Sequence, residues 1–455
     1  MQRIYYIYLK RFSSKKCIKK LAFIKNTMKI YINIIQTIGL MMKKIPELLA
    51  PGGTLDAFKT AILYGADAIY AGLPGFSMRA RAKITVDEVK QGIDFAHEHG
   101  KKVYLAFNLF AHDRDYENMS RVSEVLNYLR PDALIISDAG VLMWVRENHP
   151  DIPIHISTQA NICSAKTVKF WQNAGAVQCV LAREVTHNEF KSIRQQCPDI
   201  GLEIFIHGAM CMSYSGRCLL SNFITGRPAN RGACAQLCRW KYDVILREVE
   251  SGIEMPIEED ERGAYIMNSK DLCLMPRLKE VIEAGPDSLK IEGRNRSEYY
   301  VGSVTRAYRN AIDAYAKNPE HFDPTEFMDD LNVLESRGYT TAFFDGPLTS
   351  DAHNYETTRS SSDWHAAGVI TSADSDKIIF ELRNEIVSGD EVKFILPNVN
   401  EKITVVIDKI INAKNGEILP KMSAGQHNSL IISTDKIPQQ YRDKFVPYVL
   451  AYKHK

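Results

Sequence analysis

The chain has 455 residues, 45% of them hydrophobic and 25% charged. This balance excludes a disordered protein or a bundle of membrane spans and leaves a globular chain long enough for two domains. Its net charge of +2 hides an asymmetry: residues 1–44 hold eleven Lys and Arg and no acid, so the rest, at +2 less 11, carries −9. A net-acidic body excludes nucleic-acid binding by overall charge and leaves any RNA contact to a local basic surface.

In chain order, residues 1–41 read as a basic extension, disordered or mis-started, with Met41 or Met42 as the natural beginning. A targeting peptide is the other reading. The apolar stretch from Ile30 to Met42 falls short of the roughly 20 residues a membrane helix needs, and no small-residue cleavage site follows it. From Pro46 onward eight apolar runs, ELLAPGG, AIYAGLPGF, KVYLAFNLF, ALIISDAG, IHISTQANI, CVLAREVT, LEIFIHGAM and SLKIEGRNRS, alternate with helix-like stretches such as TVDEVKQGIDFAHEHG. Eight such repeats predict an α/β fold, a (β/α)8 TIM-like barrel over residues 42–340, whose reactive groups lie at the C-terminal ends of the strands. An open doubly wound sheet is the competing topology.

Residues 211–286, between the seventh and eighth strands, form an insertion far longer than the roughly 2–6 residues of an ordinary strand-to-helix loop, and long insertions tend to be functional. A last long helix is expected over about Glu298 to Lys317, then a linker over 341–365. Residues 366–455 alternate apolar and polar positions, as in KIIFELR and KITVVIDKI, with Gly389-Asp390 and Asn415-Gly416 as turns, which predicts a small antiparallel β-barrel.

The nine cysteines are odd in number and unevenly placed, which argues for a reducing, cytoplasmic setting and against a disulfide framework. Cys163, Cys179 and Cys197 read as ordinary buried thiols. Cys211 and Cys218, separated by six residues, and Cys234 and Cys238, separated by three, follow the seventh strand, so four thiolates can meet at the catalytic end of a barrel. An iron–sulfur cluster and a structural zinc both accept such donors, but zinc usually takes paired C-x2-4-C knuckles and only the second pair fits. Cys273, in NSKDLCL, is an alternative fourth ligand in place of Cys238; the plainer reading makes it a small buried residue opening a helix.

The run E-x-F-x-x-G-A-M-C-x4-G-x-C-x-L-S, from Glu203 to Ser221, resembles the signature of the collagenase-like peptidase family along its whole length. APGG, RGACAQLCRW, NSKDL, SLKIEGR and SRGYTTAFF extend the resemblance from about Met42 to the C-terminus. Within that family the set most resembles prephenate-dependent tRNA uridine hydroxylases. The resemblance implies oxygen-independent formation of 5-hydroxyuridine at the tRNA wobble position, in the anticodon loop, with prephenate as co-substrate. It also implies an iron–sulfur (4Fe-4S) cluster on Cys211, Cys218, Cys234 and Cys238. Related hydroxylases of ribosomal RNA or a quinone precursor, and a peptidase, are the alternatives.

A peptidase needs an activated nucleophile or a metal-bound water, and the sequence contains neither G-x-S-x-G nor H-E-x-x-H. His207 and Cys211, four residues apart, would lie roughly 13 Å apart along a strand, too far for direct proton transfer unless the chain turns. Prephenate is a dicarboxylate and tRNA carries phosphates, so Arg183, Arg217, Lys290 and Arg294 are candidate anion binders, with ordinary ion pairs as the alternative. Asn108, Asp138, Gln159 and Asn161 end strands where a uracil edge could be read, and Glu292 or His207 could move the C5 proton; structural hydrogen bonds are the competing role. Arg227, Arg231, Arg239, Trp240, Lys241 and Tyr242 interleave charge and ring faces around the second cysteine pair, a composition suited to single-stranded RNA. Trp240 could equally be core.

Overall fold

The alternation read from the sequence closes into a ring. In a computed structural model, the described residues are 45–74, 84–210, 218, 220–227, 234–239, 245–247, 254–256, 269–348, 352, 360–425 and 427–455. The basic extension, Cys211, Arg217, Arg231, Trp240, Lys241 and Tyr242 lie outside them. Strands β1 (Glu47–Pro51), β2 (Ala68–Gly72), β3 (Lys102–Phe107), β4 (Ala133–Ile136), β5 (Ile154–Ile156), β6 (Gln178–Val180) and β7 (Gly201–Gly208) pair in parallel, each with the next. After the insertion, β8 (Asp271–Cys273) runs antiparallel to the end of β7, and β9 (Ser288–Ile291) pairs in parallel with both β7 and β1. That double pairing closes an eight-stranded parallel barrel and rules out the open sheet.

Helices α1 (Leu55–Leu63), α2 (Val86–Glu98), α3 (Met119–Leu129), α4 (Ala139–Asn148), α5 (Ala165–Asn173) and α6 (His187–Gln196) alternate with these strands. Their starts are set by side chains that accept the first free backbone N–H groups: Thr54 for α1, Thr85 with Glu88 for α2, Ser164 for α5 and Thr186 with Glu189 for α6. α2 shows why the helices dock. It buries Val89, Gly92, Ile93 and Ala96, one stripe at helical spacing. A short helix α7 (Leu220–Thr225) lies in the insertion, α8 (Leu278–Ala284) precedes β9, and α9 (Glu298–Lys317) spans the residues expected. Among the described residues no helix is long and apolar enough to cross a membrane.

Past α9 a two-residue strand β10 (Tyr339–Thr340) pairs with β8. An eight-stranded antiparallel sheet then curls on itself: β11 (Trp364–Ala373), β12 (Lys377–Leu382), β13 (Asp390–Ile395), β14 (Lys402–Ile407), β15 (Ile410–Asn412), β16 (Ile418–Leu419), β17 (Ser429–Ser433) and β18 (Leu450–His454). The spatial order is β14-β13-β18-β11-β12-β17-β15-β16. Alternate residues of β12 and β14 point inward, and Ile370, Phe380, Phe394, Val405 and Phe445 fill the interior. Gly389 and Gly416 adopt positive φ, as their turn positions demand.

The curled sheet is fastened to the barrel by buried polar contacts. Tyr64, at the end of α1, donates its hydroxyl to the Ile395 carbonyl (2.7 Å) and accepts the Leu450 N–H (2.9 Å). Arg306 of α9 donates to the carbonyls of Val399 and Asn400, each at 2.6 Å, and pairs with Asp330, which Lys402 also reaches. Tyr64→Phe leaves two buried backbone groups short of a partner. We expect it to lower stability by about 1–3 kcal/mol, read as a shifted urea midpoint; an unchanged midpoint would mean this contact does not couple the two units.

Candidate functional site

A barrel core is usually filled with branched apolar side chains, but this one also holds Glu47, His155, Gln178, Glu203 and Lys290. Its apolar part is a small cluster, including Leu49, Ala68, Tyr70, Tyr104 and Ile135, separate from the main core between strands and helices. Residues from strands that are not neighbours meet there, which requires them to point inward. Tyr104 of β3 donates to Glu47 of β1 (2.8 Å) and stacks edge-on with His155 of β5 at 4.6 Å. Burial pushes the Glu47 carboxyl up to about 6 and the His155 imidazole down to about 3. Glu203 of β7, fully buried, accepts from Lys290 of β9 (2.6 Å) and Gln178 of β6 (2.8 Å).

One layer higher, toward the C-terminal strand ends, cations gather round two aromatic faces. The Lys290 ammonium lies 4.4 Å from the centre of the Tyr70 ring and 5.6 Å from that of Phe205. The Arg183 guanidinium, just past β6, sits 4.2 Å over Phe205, and Arg294, just past β9, sits 5.9 Å from Tyr70. Glu292 is 3.8 Å from Arg183. All four ionic side chains are buried, and ring faces stabilise cations in such places. The loops beneath them fit without slack: a Cβ at Gly53, in APGG, would fall 1.8 Å from the Arg294 carbonyl oxygen, and one at Gly208 would fall 2.6 Å from that of Glu292.

The remaining strand ends divide between structure and site. Asp138 accepts from the N–H groups of Gly140 and Val141 and so caps α4, a structural role. Asn108 is buried, its carbonyl accepting from Ser137. Gln159 is buried just past β5; Asn161 stands beside it in the left-handed region, donating to the Gln159 carbonyl (2.9 Å). The Asn161 Oδ1 is buried without a hydrogen-bond partner among the described residues.

His207 does not join the Arg183–Glu292 group. A register shift in the β7–β9 pairing sets it opposite Ile291, and its ring lies among Tyr300, Tyr308 and Tyr339, with centroids 5.5–6.0 Å away. Burial, reinforced by the charge of Arg296, lowers its pKa to about 3, so it is neutral at physiological pH.

Cys273 lies on β8, opposite His207 in register, and not at a helix start as expected from sequence; the helix opens only at Leu278. It is buried against the Tyr308 hydroxyl (3.8 Å), and burial pushes its thiol up to about 11, the reverse of an activated nucleophile. β8 thereby holds a fifth thiol beside the end of the strand that leads to Cys211. Cys218 and Cys238 are half-buried and Cys234 is exposed. Among the described residues no three His, Cys, Asp or Glu are grouped as a metal site. Cys179 and Cys197 are buried as expected, whereas Cys163 is exposed because it lies in the loop between β5 and α5.

Sequence reasoning missed Glu203, Tyr70 and Phe205. The available signal was phase: Glu203 and Phe205 sit two apart on β7 and so share its inward face, and an acid in that phase of a barrel strand has to be paired.

Residues 53–354 match the profile described as Peptidase family U32. A relative named tRNA hydroxylation protein P, from Haemophilus influenzae, is 37% identical over 436 residues, covering 86% of this chain and 94% of its own. Its namesake from Escherichia coli is 39% identical over 417 residues, covering 82% and 91%. A collagenase from Porphyromonas gingivalis is 33% identical over 323 residues, covering 68% and 76%. With a profile match spanning most of the barrel and relatives aligned nearly end to end, the chain belongs to peptidase family U32.

Proposed function

We propose that this protein hydroxylates the wobble uridine of tRNA to 5-hydroxyuridine without molecular oxygen, with prephenate as co-substrate and a 4Fe-4S cluster as cofactor. The names of the relatives aligned nearly end to end support the substrate class and reaction. The observation that carries the reading is the buried group of Arg183, Lys290 and Arg294 at the mouth of a barrel whose seventh strand ends at Gly208, three positions before the first cysteine of the set in sequence.

The donor chemistry fits the cluster, since soft thiolates select iron–sulfur clusters. Cys211, Cys218 and Cys234 would hold it, with Cys238 or Cys273 as the fourth ligand. When bound, it would supply one-electron chemistry at the strand ends. The chain's own groups do the rest. Arg183, Lys290 and Arg294 suit the two carboxylates of prephenate through charge-assisted hydrogen bonds, while Tyr70 and Phe205 keep that contact dry and strengthen it. Gln159 and Asn161 offer amides to a uracil edge, and we assign to Glu292 the carboxylate that takes a proton.

Deleting the gene, in cells with no second route to the modification, should remove 5-hydroxyuridine and nucleosides derived from it from bulk tRNA, as read by mass spectrometry of digested tRNA. Unchanged tRNA with an altered ribosomal RNA or quinone profile would move the assignment to those substrates.

A further inference from the structure

The chain between β7 and Asp243 differs in charge from the rest of the protein. From Ala209 to Tyr242 it carries Arg217, Arg227, Arg231, Arg239 and Lys241 and not one Asp or Glu, in a body that is otherwise net acidic. Helix α7 lies in this stretch, between the two cysteine pairs. Its Ser221 is buried and accepts the Ala235 N–H (2.9 Å), which ties the helix to the segment bearing the second pair. Two residues on, roughly 200° around the helix, Phe223 faces away from that anchor and is 89% exposed; Ile224 beside it is 49% exposed. Gly226, with φ +66°, ends the helix with its N–H on the Asn222 carbonyl, and the half-buried Arg227 follows.

An anchored helix that holds a phenylalanine outward, 89% exposed, presents an aromatic face to solvent. Two apolar side chains are too few for a protein partner, which needs about 800 Å² a side. A single ring face is what one nucleobase needs, and an acid-free basic stretch is what the phosphates on either side of it need. We infer that Phe223 is a stacking platform for an unpaired base of the substrate RNA, with Arg227 on a flanking phosphate. This deepens the hydroxylase reading above and rests on its RNA substrate.

The test is fluorescence anisotropy of a labelled tRNA anticodon stem-loop against the full chain. Phe223→Ala should raise Kd by about 5- to 150-fold, the range for loss of one stacked base, and leave the slope of log Kd against log salt unchanged. Phe223→Trp should restore binding. Arg227→Ala should flatten the salt slope by about one charge. Because the ring is exposed, thermal melting of Phe223→Ala should match that of the unsubstituted protein. Undiminished RNA binding by Phe223→Ala overturns the inference alone, as does a dimer, seen by sedimentation, that Phe223→Ala dissolves while RNA binding persists. No RNA binding by the unsubstituted protein removes both the inference and the reading beneath it.

Discussion

Protein purified without oxygen is expected to contain about four iron and four sulfide per chain and to absorb broadly in the visible, and Cys218→Ser is expected to lose nearly all of both. Changes one shell out from a metal ligand already cost 10- to 100-fold in affinity or activity, so loss of a ligand should lower hydroxylation by more than about 100-fold. One equivalent of zinc and no iron would refute the cluster. Cys238→Ser and Cys273→Ser then separate the two candidates for the fourth position, since only the true ligand's variant loses iron. The fold gives the pair different surroundings: Cys273 is buried on β8 beside the end of β7, while Cys238 is half-buried in the turn Leu237–Arg239. Thermal melting serves as the control, because Cys273→Ser also puts a hydroxyl into a buried site.

Glu203→Leu should be the most destabilising change inside the barrel. It removes the carboxylate from Lys290, whose ammonium is buried beside the faces of Tyr70 and Phe205 and, among the described residues, keeps no other counter-charge in contact. An uncompensated buried charge costs about 3–5 kcal/mol, and Lys290→Met should cost a similar amount by stranding Glu203. Replacing both with Leu and Met should recover most of the loss, because the charge and its counter-charge leave together. Urea denaturation of the three variants reads this directly. Activity of the double variant then separates two roles for Lys290. If the pair is only structural, a refolded double variant hydroxylates normally. If Lys290 holds a carboxylate of the co-substrate, stability returns but the KM for prephenate stays raised. Equal stability of all three variants and the unsubstituted protein would refute the buried-pair argument.

The fold was legible because its signals are local. Each barrel strand is a short apolar run, each helix after it has a stripe at helical spacing, and α9 begins and ends where its sequence does, at Glu298 after the cap Ser297 and at Lys317 before Asn318. The site was legible only in part. Arg183, Lys290, Arg294 and Glu292 were singled out by their place just past or within barrel strands, a rule that follows from topology alone, and the structure brings them into one group. The same rule nominated Asp138 and His207, and it cannot distinguish a side chain that lines the mouth from one that caps a helix or turns toward α9. His207 shows the difficulty. Counting in twos from Glu203 and Phe205 puts it on the inward face, but the register shift in the β7–β9 pairing changes its partner and leaves it among three tyrosines.

The sequence by itself determined the strand count, the alternation of strand and helix, the second antiparallel unit and the family, because hydrophobic period and a nineteen-position motif are written in consecutive residues. Only the tertiary structure decided that Glu203 neutralises Lys290, that Tyr70 and Phe205 carry the cations, that β8 tucks Cys273 against β7, and that Tyr64 and Arg306 fasten the curled sheet to the barrel. Each of these joins residues tens to hundreds of positions apart. Such contacts arise only once the barrel has closed and brought non-neighbouring strands within a side chain's reach, and closure is a property of the whole ring.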